Sequence, residues 1–437
     1  MQTEQLYEVF LRHSSICTDS RNPVQNSLFF ALSGPSFNGN AFAEAALNAG
    51  CAYAVIDDVS YQKDHRFILV ENTLQALQNL SRHHRRQLKT NVIAITGSNG
   101  KTTSKELLNA VLSQRFKTIS TIGNLNNHIG VPLTLLSIPA DAEFAVIEMG
   151  ASHQGDIREL VEIAEPDYGL ITNIGKAHLE GMGGIEGVIK TKTELYDFLR
   201  REQKKVFINS MHPVFKEKSK GMDIISFGEH ENDHFQGLFI EADPCVKFKW
   251  KARIDDRPWM QISELRTMLI GKYNYENLLA AAAVGSYFGV EESDINSALS
   301  NYTPENNRSQ VIHTNNFHLI MDAYNANPTS MAAALENFSH LNAHPKIVIL
   351  GQMNELGESA PEEHQKITEL AANLGFDKLI FVGEPYKAFM NHERMAYFKD
   401  TDTLLKHIKE LVPAGSQVLI KGSRSNRLER LKETILA

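Results

Sequence analysis

The chain has 437 residues, of which 42% are hydrophobic and 22% charged, and its net charge at pH 7 is −8. Such a length predicts about two to four domains of a globular protein. The acidic balance disfavours a general nucleic-acid-binding surface, and three cysteines without paired spacing disfavour a disulfide framework or a zinc cluster. Because we find no signal-peptide pattern and no apolar run of the ~20 residues that span a bilayer, we expect a cytoplasmic protein without membrane insertion.

Residues 1–87 predict a small α/β domain. Strand-like runs at 27–32 and 52–56 alternate with a turn-rich segment at 33–40 and a helical pattern at 41–49. Four polar or glycine positions on two loops are candidates for holding a phosphorylated or sugar ligand: Ser20, Arg21, Asn38 and Gly39. The same residue types also form ordinary turns and helix caps, and that alternative stays open here.

A basic run at residues 82–86 precedes the next segment. We interpret it as the solvated end of a helix at a domain boundary.

A glycine loop follows the apolar run 92–95 and precedes a helical pattern at 105–115. Its residues are Gly97, Ser98, Asn99, Gly100, Lys101, Thr102 and Thr103. A strand, a glycine loop with Lys-Thr and a helix form the context in which backbone N–H groups and a helix N-terminus hold phosphate. Lys101 would contact the outer phosphates and Thr102 would ligate Mg²⁺. Only two residues separate the glycines, against four in the common phosphate loop, so a simple helix-capping turn is the alternative.

Polar residues follow the next two predicted strands. Glu148 ends the apolar run 144–147, and His178 follows the strand 168–173. Ligands of open α/β sheets bind at the carboxyl ends of parallel strands, so Glu148 is a candidate Mg²⁺ ligand or water-positioning group and His178 a candidate metal ligand. A capping carboxylate and a structural histidine are the alternatives. Asn126 and Asn127 lie on a polar loop able to contact ligand, and Lys192 would by default be a surface residue.

The order of these motifs resembles the Mur ligase family, the ATP-dependent amide-forming enzymes of peptidoglycan precursor synthesis. The motifs are GSNGKTT, NNHIGVP, IEMGA, NIGKAHLEG and the KTE helix. The resemblance implies that Lys101 contacts the outer phosphates and that Thr102, Glu148 and His178 lie at Mg²⁺. It also implies that Lys192 reacts with CO₂ to become a carbamate and thereby a further Mg²⁺ ligand. Thr193 replaces the glycine that usually follows this lysine.

The resemblance continues downstream. Tyr273, Asn274 and Asn277 resemble the adenine side of the family's ATP site, although Tyr273 stands where histidine is common. For Tyr273 and Asn274, a stacked core residue and a helix N-cap are the respective alternatives. Arg308 resembles a linker arginine that reaches ATP, with Asn307 in place of a glycine.

The loop from Asp322 to Pro328 resembles the signature of the dipeptide-adding members. The resemblance implies that Asp322 contacts nucleotide. Three further loop residues would face substrate: Tyr324, Asn325 and Asn327. Lys421 ends a predicted strand and could hold an anionic group of a substrate, with a glycine turn and a helix cap at Ser423 as the alternative. Gln352 stands where the family usually has aspartate.

Three α/β domains are therefore expected: a UDP-sugar-binding domain at 1–87, a central ATP-binding domain of the P-loop type with a mainly parallel sheet at 88–305, and a Rossmann-like domain for the incoming dipeptide at 306–437. The strand patterns 346–350, 378–382 and 417–421 and the helical patterns 361–373 and 403–411 support the last one. The resemblance implies an enzyme that joins D-alanyl-D-alanine to UDP-MurNAc-tripeptide through an acyl phosphate, with ATP and Mg²⁺. We expect it to be a monomer. Domain closure would bring Arg308 and Asp322 onto ATP.

Two other functions remain open. The chain could add the diamino acid at position three of the peptide, an alternative that the loop 324–328 disfavours. It could also be a phosphate-loop ATPase or switch module, which would not need Glu148, His178 and Lys192 together.

Overall fold

The architecture was obtained from a computed structural model, which describes residues 1–253, 255–304, 308–314, 317–341 and 344–436. These residues form three β-sheets in chain order, each packed against helices, which confirms the predicted α/β class. Within these described ranges, no helix is long and apolar enough to cross a membrane.

The first sheet is parallel and has the strand order β1-β2-β3-β4. Its strands are β1 (Ile16–Cys17), β2 (Leu28–Phe30), β3 (Tyr53–Ile56) and β4 (Phe67–Leu69). Its helices are α1 (Thr3–Arg12), α2 (Ala43–Asn48) and α3 (Thr73–Gln87). The predicted small α/β region is therefore present.

The end of α3 corrects the interpretation of the basic run. His84 and Arg85 are buried, and the Arg85 guanidinium donates to the carbonyls of Thr90, Ala164 and Glu165 as well as to Asp167 Oδ2 at 2.7 Å. These bonds fasten the first region to the next. A guanidinium with five N–H donors suits such a junction, so His84 and Arg85 form an interface and only Arg86 is exposed as expected.

The second sheet has the order β13-β12-β11-β10-β9-β8-β5-β7-β6. Its strands are β5 (Asn91–Thr96), β6 (Thr118–Ser120), β7 (Phe144–Glu148), β8 (Tyr168–Ile171), β9 (Lys205–Asn209), β10 (Asp223–Gly228), β11 (Phe235–Ala242), β12 (Cys245–Ala252) and β13 (Leu265–Ile270). Strands β5 to β10 pair in parallel, and only β11–β12 and β12–β13 are antiparallel.

Helices cover both faces of this sheet. They are α4 (Lys101–Leu112), α5 (Gly130–Leu136), α6 (Asp156–Ala164), α7 (Leu179–Met182), α8 (Ile185–Arg201), α9 (Pro213–Lys218), α10 (Tyr273–Tyr287) and α11 (Glu292–Asn301). Strand β5 lies between β7 and β8, with Ile95 opposite Glu148 and Thr96 opposite Ile171. The loops after these three strands therefore meet at one edge of the sheet, where α/β proteins bind ligands.

The third sheet has the order β14-β15-β19-β16-β17-β18, parallel except for β14–β15. Its strands are β14 (Gln310–His313), β15 (His318–Asp322), β16 (Lys346–Gly351), β17 (Lys378–Val382), β18 (Met395–Phe398) and β19 (Gln417–Lys421). Its helices are α12 (Pro328–Ser339), α13 (Ala360–Asn373), α14 (Thr401–Leu405), α15 (Ile408–Leu411) and α16 (Leu431–Leu436). The helix predicted at 403–411 is thus two short helices.

The three sheets agree with the expected three-part organisation. The first predicted boundary coincides with the end of α3 at Gln87. The second, between residues 305 and 306, lies outside the described residues, as does Asn307. The exact domain limits stay a prediction.

Candidate active site

The glycine loop turns sharply between β5 and α4. Gly97 has φ 144° and Gly100 has φ 78°, conformations that favour glycine. A Cβ atom on Gly97 would lie 2.0 Å from Thr172 Oγ1, so a side chain does not fit there. Because α4 begins at Lys101, the loop presents a helix N-terminus with free N–H groups, as phosphate binding requires.

The loop is held by the segment that follows β8. The Asn99 N–H donates to Asn173 Oδ1 at 3.0 Å, and Thr172 Oγ1 donates to the Asn99 carbonyl at 2.6 Å. Ser98 Oγ donates to the Gly175 carbonyl at 3.0 Å. Asn173 was not among the predicted site residues, although its position directly after a buried strand is the signal that identified Glu148.

Lys101 folds back over its own loop. Its Nζ donates to the Gly97 carbonyl at 2.7 Å and to the Ser98 carbonyl at 3.3 Å. Burial lowers the pKa of Lys101, while the nearby Glu148 carboxylate opposes that shift and Arg308 adds to it. The two hydrogen bonds hold the Lys101 Nζ at the loop, where it can contact an anion.

Glu148 and Thr102 form the oxygen-rich part of the site. Both are buried, and the Thr102 hydroxyl donates to Glu148 Oε2 at 2.9 Å. Asn126 Nδ2 donates to Glu148 Oε1 at 2.8 Å. A hydroxyl and a carboxylate match the preference of Mg²⁺ for oxygen ligands supplemented by phosphate and water. In the described ranges, no three His, Cys, Asp or Glu side chains cluster as a metal site by themselves.

His178 occupies a junction between the second and third sheets. Its Nδ1 lies 2.6 Å from Glu355 Oε2, and the imidazole lowers the pKa of Glu355, but the two atoms are not aligned for a hydrogen bond. Nearby, Lys176 Nζ pairs with Glu363 Oε1 at 2.5 Å, and the backbone N–H of Lys176 donates to Thr329 Oγ1. These contacts fit a structural role, and metal ligation by His178 stays a prediction.

Lys192 is only 1% exposed, so the surface position expected by default is wrong. Its Nζ has no hydrogen-bond partner. Burial holds the pKa of Lys192 well below its usual range, helped by the charge of Lys101 and opposed by Asp156 and Glu194. A buried neutral amine is the form that reacts with CO₂, so the environment fits the expected carbamate.

The adenine-side candidates lie at the start of α10. The Tyr273 hydroxyl is 2.8 Å from Ser309 Oγ, and burial raises the pKa of Tyr273. Asn277 accepts from Ser104 Oγ at 3.0 Å and donates to Asn274 Oδ1 at 3.0 Å. Since Asn274 lies inside α10 and donates to the Ile270 carbonyl, it is not an N-cap.

The third sheet contributes two charged contacts. The Arg308 Cζ lies 3.9 Å from the centroid of the Tyr324 ring, and its buried Nε has no hydrogen-bond partner. Lys421 Nζ pairs with Asp322 Oδ2 at 2.5 Å. Arg308 thus keeps a buried donor available, whereas the charge of Asp322 is offset by Lys421.

Asn327 connects the loop that follows β15 with the phosphate loop that follows β5. Its Oδ1 accepts from the Ser330 N–H and caps α12, and its Nδ2 donates to Asn99 Oδ1 at 2.7 Å. The neighbouring Asn325 accepts from the Ala326 N–H. The loop from Asp322 to Pro328, the predicted dipeptide-signature loop, therefore contacts the phosphate loop directly.

A cavity of about 920 Å³ lies between these elements. The predicted residues that line it are Ser98, Asn99, Gly100, Lys101, Thr102, Thr103, Asn126, Asn127, Glu148, His178, Tyr273, Asn274, Asn277, Arg308, Asp322, Tyr324, Asn325 and Lys421. Wall residues that sequence reasoning missed include His153, Asp156, Asn173, His212, Glu276, Ser309 and Glu355. Most of these come from elements without a recognisable motif.

The predicted residues of the first region do not line this cavity. The Arg21 side chain is 85% exposed and pairs with Asp19. Asn38 Oδ1 accepts from the Asn40 N–H, and a Cβ on Gly39 would lie 2.1 Å from the Leu32 carbonyl oxygen. Turn and cap roles explain Asn38 and Gly39, and the substrate role of these positions and of Ser20 stays a prediction.

Comparisons with known proteins match both of the chain segments that line the cavity. Residues 95–285 match the Mur ligase middle domain, and residues 307–424 match the Mur ligase, glutamate ligase domain. The UDP-N-acetylmuramoyl-tripeptide–D-alanyl-D-alanine ligase of Bacillus subtilis is 34% identical, covering 98% of this chain and 94% of the relative. The enzyme of that name from Escherichia coli is 32% identical, covering 95% and 92%.

Solved structures agree with the sequence comparisons. A MurF crystal structure from Acinetobacter baumannii has a TM-score of 0.88 at 30% identity, covering 100% of this chain and 98% of that one. MurF from Thermotoga maritima in complex with ADP has a TM-score of 0.85 at 25% identity, covering 98% and 97%. The chain therefore belongs to the Mur ligase family.

Proposed function

We propose that this chain is the ATP-dependent ligase that joins D-alanyl-D-alanine to UDP-N-acetylmuramoyl-tripeptide, giving the pentapeptide, ADP and phosphate. The observation that carries the proposal is the hydrogen bond between Asn327 and Asn99. It sets the dipeptide-signature loop against the phosphate loop in one cavity. The names of the relatives from Bacillus subtilis and Escherichia coli support the same reaction.

The first chemical step is phosphoryl transfer. A carboxylate oxygen of the tripeptide attacks the γ-phosphorus of ATP, and the bond from phosphorus to the ADP oxygen breaks. The two reactants are anions, so the site must offset their repulsion. Lys101 and the N-terminus of α4 supply positive charge at the loop, and the free donor of Arg308 enters from the opposite wall.

The second step forms the amide. The neutral amine of D-alanyl-D-alanine attacks the acyl carbon, and the tetrahedral intermediate collapses as the bond from carbon to the phosphate oxygen breaks. The nitrogen loses a proton, and phosphate carries away the leaving electron pair. Holding the acceptor beside the acyl phosphate is the main task of the loop that contains Tyr324, Asn325 and Asn327.

Thr102 and Glu148 would hold Mg²⁺, because their buried oxygens adjoin the phosphate loop. When bound there, the ion would offset the negative charge of the phosphate oxygens.

Lys192 is proposed to carry a carbamate. Its neutral nitrogen attacks the carbon of CO₂, forms the N–C bond and loses a proton, which changes the side chain into an anion. Incubation with ¹³C-bicarbonate should give a carbamate carbon resonance in the protein that disappears in Lys192→Met. Lys105, whose Nζ donates to the Thr121 carbonyl at 2.7 Å, provides the matched control, since Lys105→Met should keep the signal.

The three regions are assigned corresponding tasks. Residues 1–87 would bind the UDP-sugar through Ser20, Arg21, Asn38 and Gly39, residues 88–305 would bind ATP, and residues 306–437 would bind the dipeptide. The chain is proposed to act as a monomer. Use of ATP and a nucleotide-linked substrate favours a cytoplasmic location.

The decisive assay follows phosphate release with ATP, Mg²⁺, UDP-MurNAc-tripeptide and D-alanyl-D-alanine, omitting one component at a time. Release should require all four. Parallel reactions offer a diamino acid with the corresponding UDP-MurNAc-dipeptide. Turnover of that pair would identify the sister activity, and ATP hydrolysis indifferent to every UDP-muramoyl substrate would identify a simple ATPase module.

A further inference from the structure

Two polar side chains of the cavity wall, His212 and Glu276, have no part in the reaction described above, and neither has Asn209, which donates a hydrogen bond to Glu276. Asn209 ends β9, His212 lies between β9 and α9, and Glu276 lies in the first turn of α10. His212 Nε2 is 2.7 Å from Glu276 Oε2, and Asn209 Nδ2 donates to the same oxygen at 2.8 Å. Two side chains from other elements, Asn209 and His212, therefore converge on one carboxylate oxygen of Glu276.

The arrangement is held firmly and leaves hydrogen-bonding capacity unused by the cluster. Asn209 is fully buried, and its Oδ1 accepts from the Met211 N–H at 3.1 Å. The His212 ring packs edge-on against Phe215. Asn209 Nδ2 and His212 Nε2 both contact Oε2 of Glu276, so neither of them uses Oε1. The other ring nitrogen, His212 Nδ1, does not contact the carboxylate. The carboxylate raises the pKa of His212, which favours a ring with two N–H donors.

The position of the cluster relates it to a bound nucleotide. His212 and Glu276 are about two-thirds buried and line the same cavity as the phosphate loop. Glu276 precedes Asn277, whose Oδ1 would lie 2.7 Å from a Cβ on Gly100. In the arrangement proposed next, the phosphates of a nucleotide would lie at the loop and its base against this part of the wall beside Tyr273.

We propose that Glu276 and His212 select adenine by its Watson–Crick edge, with Asn209 as a positioning residue. Glu276 Oε1 would accept a hydrogen bond from the 6-amino group, and His212 Nδ1 would donate to N1. The inference rests on the proposed use of ATP at this site. Beyond that proposed function, it assigns the residues that discriminate adenine from other purine bases.

Hypoxanthine and guanine carry the opposite pattern on this edge, with an acceptor oxygen at position 6 and an N–H donor at position 1. Against Glu276 and His212, acceptor would face acceptor and donor would face donor. Unpaired charged groups in a partly buried wall are costly, so such bases are rejected.

The test measures ADP and IDP binding by calorimetry with Mg²⁺ and without any ligase substrate. The wild type should bind ADP roughly 10- to 100-fold more tightly than IDP, as expected when hydrogen bonds to charged groups are lost. Glu276→Gln, which keeps the shape of the side chain, should reduce this preference at least fivefold. Glu217→Gln, an exposed carboxylate on α9, is the matched control and should keep it.

The dissociation constant of 2′-deoxy-ADP shows whether the cluster reads the sugar instead. The proposal would be overturned if the wild type did not prefer ADP over IDP, or if Glu276→Gln kept the wild-type preference. It would also be overturned if the loss of affinity caused by Glu276→Gln were confined to 2′-deoxy-ADP. Thermal unfolding of every variant controls for misfolding, and His212→Phe supplies a second variant with the same expectation. Since the assay needs no ligation, absence of ligase turnover with intact ADP selectivity would refute only the proposed reaction.

Discussion

Two glycine-containing turns differ in what surrounds them: the phosphate loop at 97–103 and the turn at 33–40. The first lies between β5 and α4 and is pinned by Thr172 and Asn173, so that its N–H groups and Lys101 face a cavity. In the second, Asn38 accepts from the Asn40 N–H and Ser33 Oγ accepts from the Gly39 N–H. Both turns make internal hydrogen bonds, so the phosphate loop is distinguished by its position at a helix N-terminus on the wall of a cavity.

The largest expected effect is at the phosphate loop. Lys101→Met should reduce the turnover number by about 10³-fold, because it removes a preorganised cation from the transferring phosphoryl group. Phosphate release measures the loss, and Lys89→Met on the exposed surface is the control. A decrease of less than tenfold would show that the loop does not carry the chemistry.

Alanine at each turn glycine separates binding from folding. Gly97→Ala should weaken ADP binding by on the order of 100-fold, since strain at a positive φ and the contact with Thr172 would deform the loop. Gly39→Ala should lower the melting temperature, because its Cβ would meet the Leu32 carbonyl, and leave ADP affinity unchanged. Calorimetry and thermal unfolding distinguish the outcomes. Equal loss of ADP affinity in both variants would remove the contrast.

Two buried lysines give a second comparison: the amine of Lys192 has no hydrogen-bond partner, whereas that of Lys105 has one. Lys192→Met should reduce turnover by roughly 10- to 100-fold, as for groups that support a metal site. Lys105→Met removes a nitrogen that donates to the Thr121 carbonyl, so its main effect should be lower thermal stability. Full activity of Lys192→Met in bicarbonate buffer would exclude a role for the carbamate in turnover.

The lowered pKa of Lys192 also predicts a pH dependence. The unfolded chain binds more protons between the folded and the ordinary lysine pKa, so this group destabilises the fold progressively as pH falls through that window. In bicarbonate-free buffer, the melting temperature of Lys192→Met relative to wild type should therefore rise as the pH is lowered from 10 towards 7. A constant difference would mean that Lys192 keeps its proton throughout.

The smallest expected effect is at Arg21. If the first region binds the UDP-sugar, Arg21→Ala should raise the KM for UDP-MurNAc-tripeptide by about 2- to 10-fold, the equivalent of one net hydrogen bond at an exposed site, with the KM for ATP unchanged. Initial-rate kinetics in each substrate give both values. Unchanged KM values would assign this loop the structural role that Asn38 and Gly39 already have.

The sequence predicted the features that depend on short, contiguous patterns. The strands 378–382 and 417–421 have the predicted limits, and the Gly97–Thr103 loop lies where strand, glycine and helix signals placed it. Features that depend on distant partners were not predictable. Arg85 is an interface residue because four acceptors from other segments surround it, and Lys192 is buried because the packing of α8 conceals it. Likewise, His212 and Glu276 are 64 residues apart and meet only in the fold.

Oxygen transfer tests the central claim most directly, namely that this cavity phosphorylates the tripeptide carboxylate before the amine attacks. The tripeptide substrate is labelled with ¹⁸O in its terminal carboxylate and turned over with ATP, Mg²⁺ and D-alanyl-D-alanine, and the released phosphate is examined by ³¹P NMR. Each phosphate should carry one oxygen from the labelled carboxylate, because the acyl phosphate breaks at its carbon–oxygen bond. Unlabelled phosphate accompanying product formation would contradict the account.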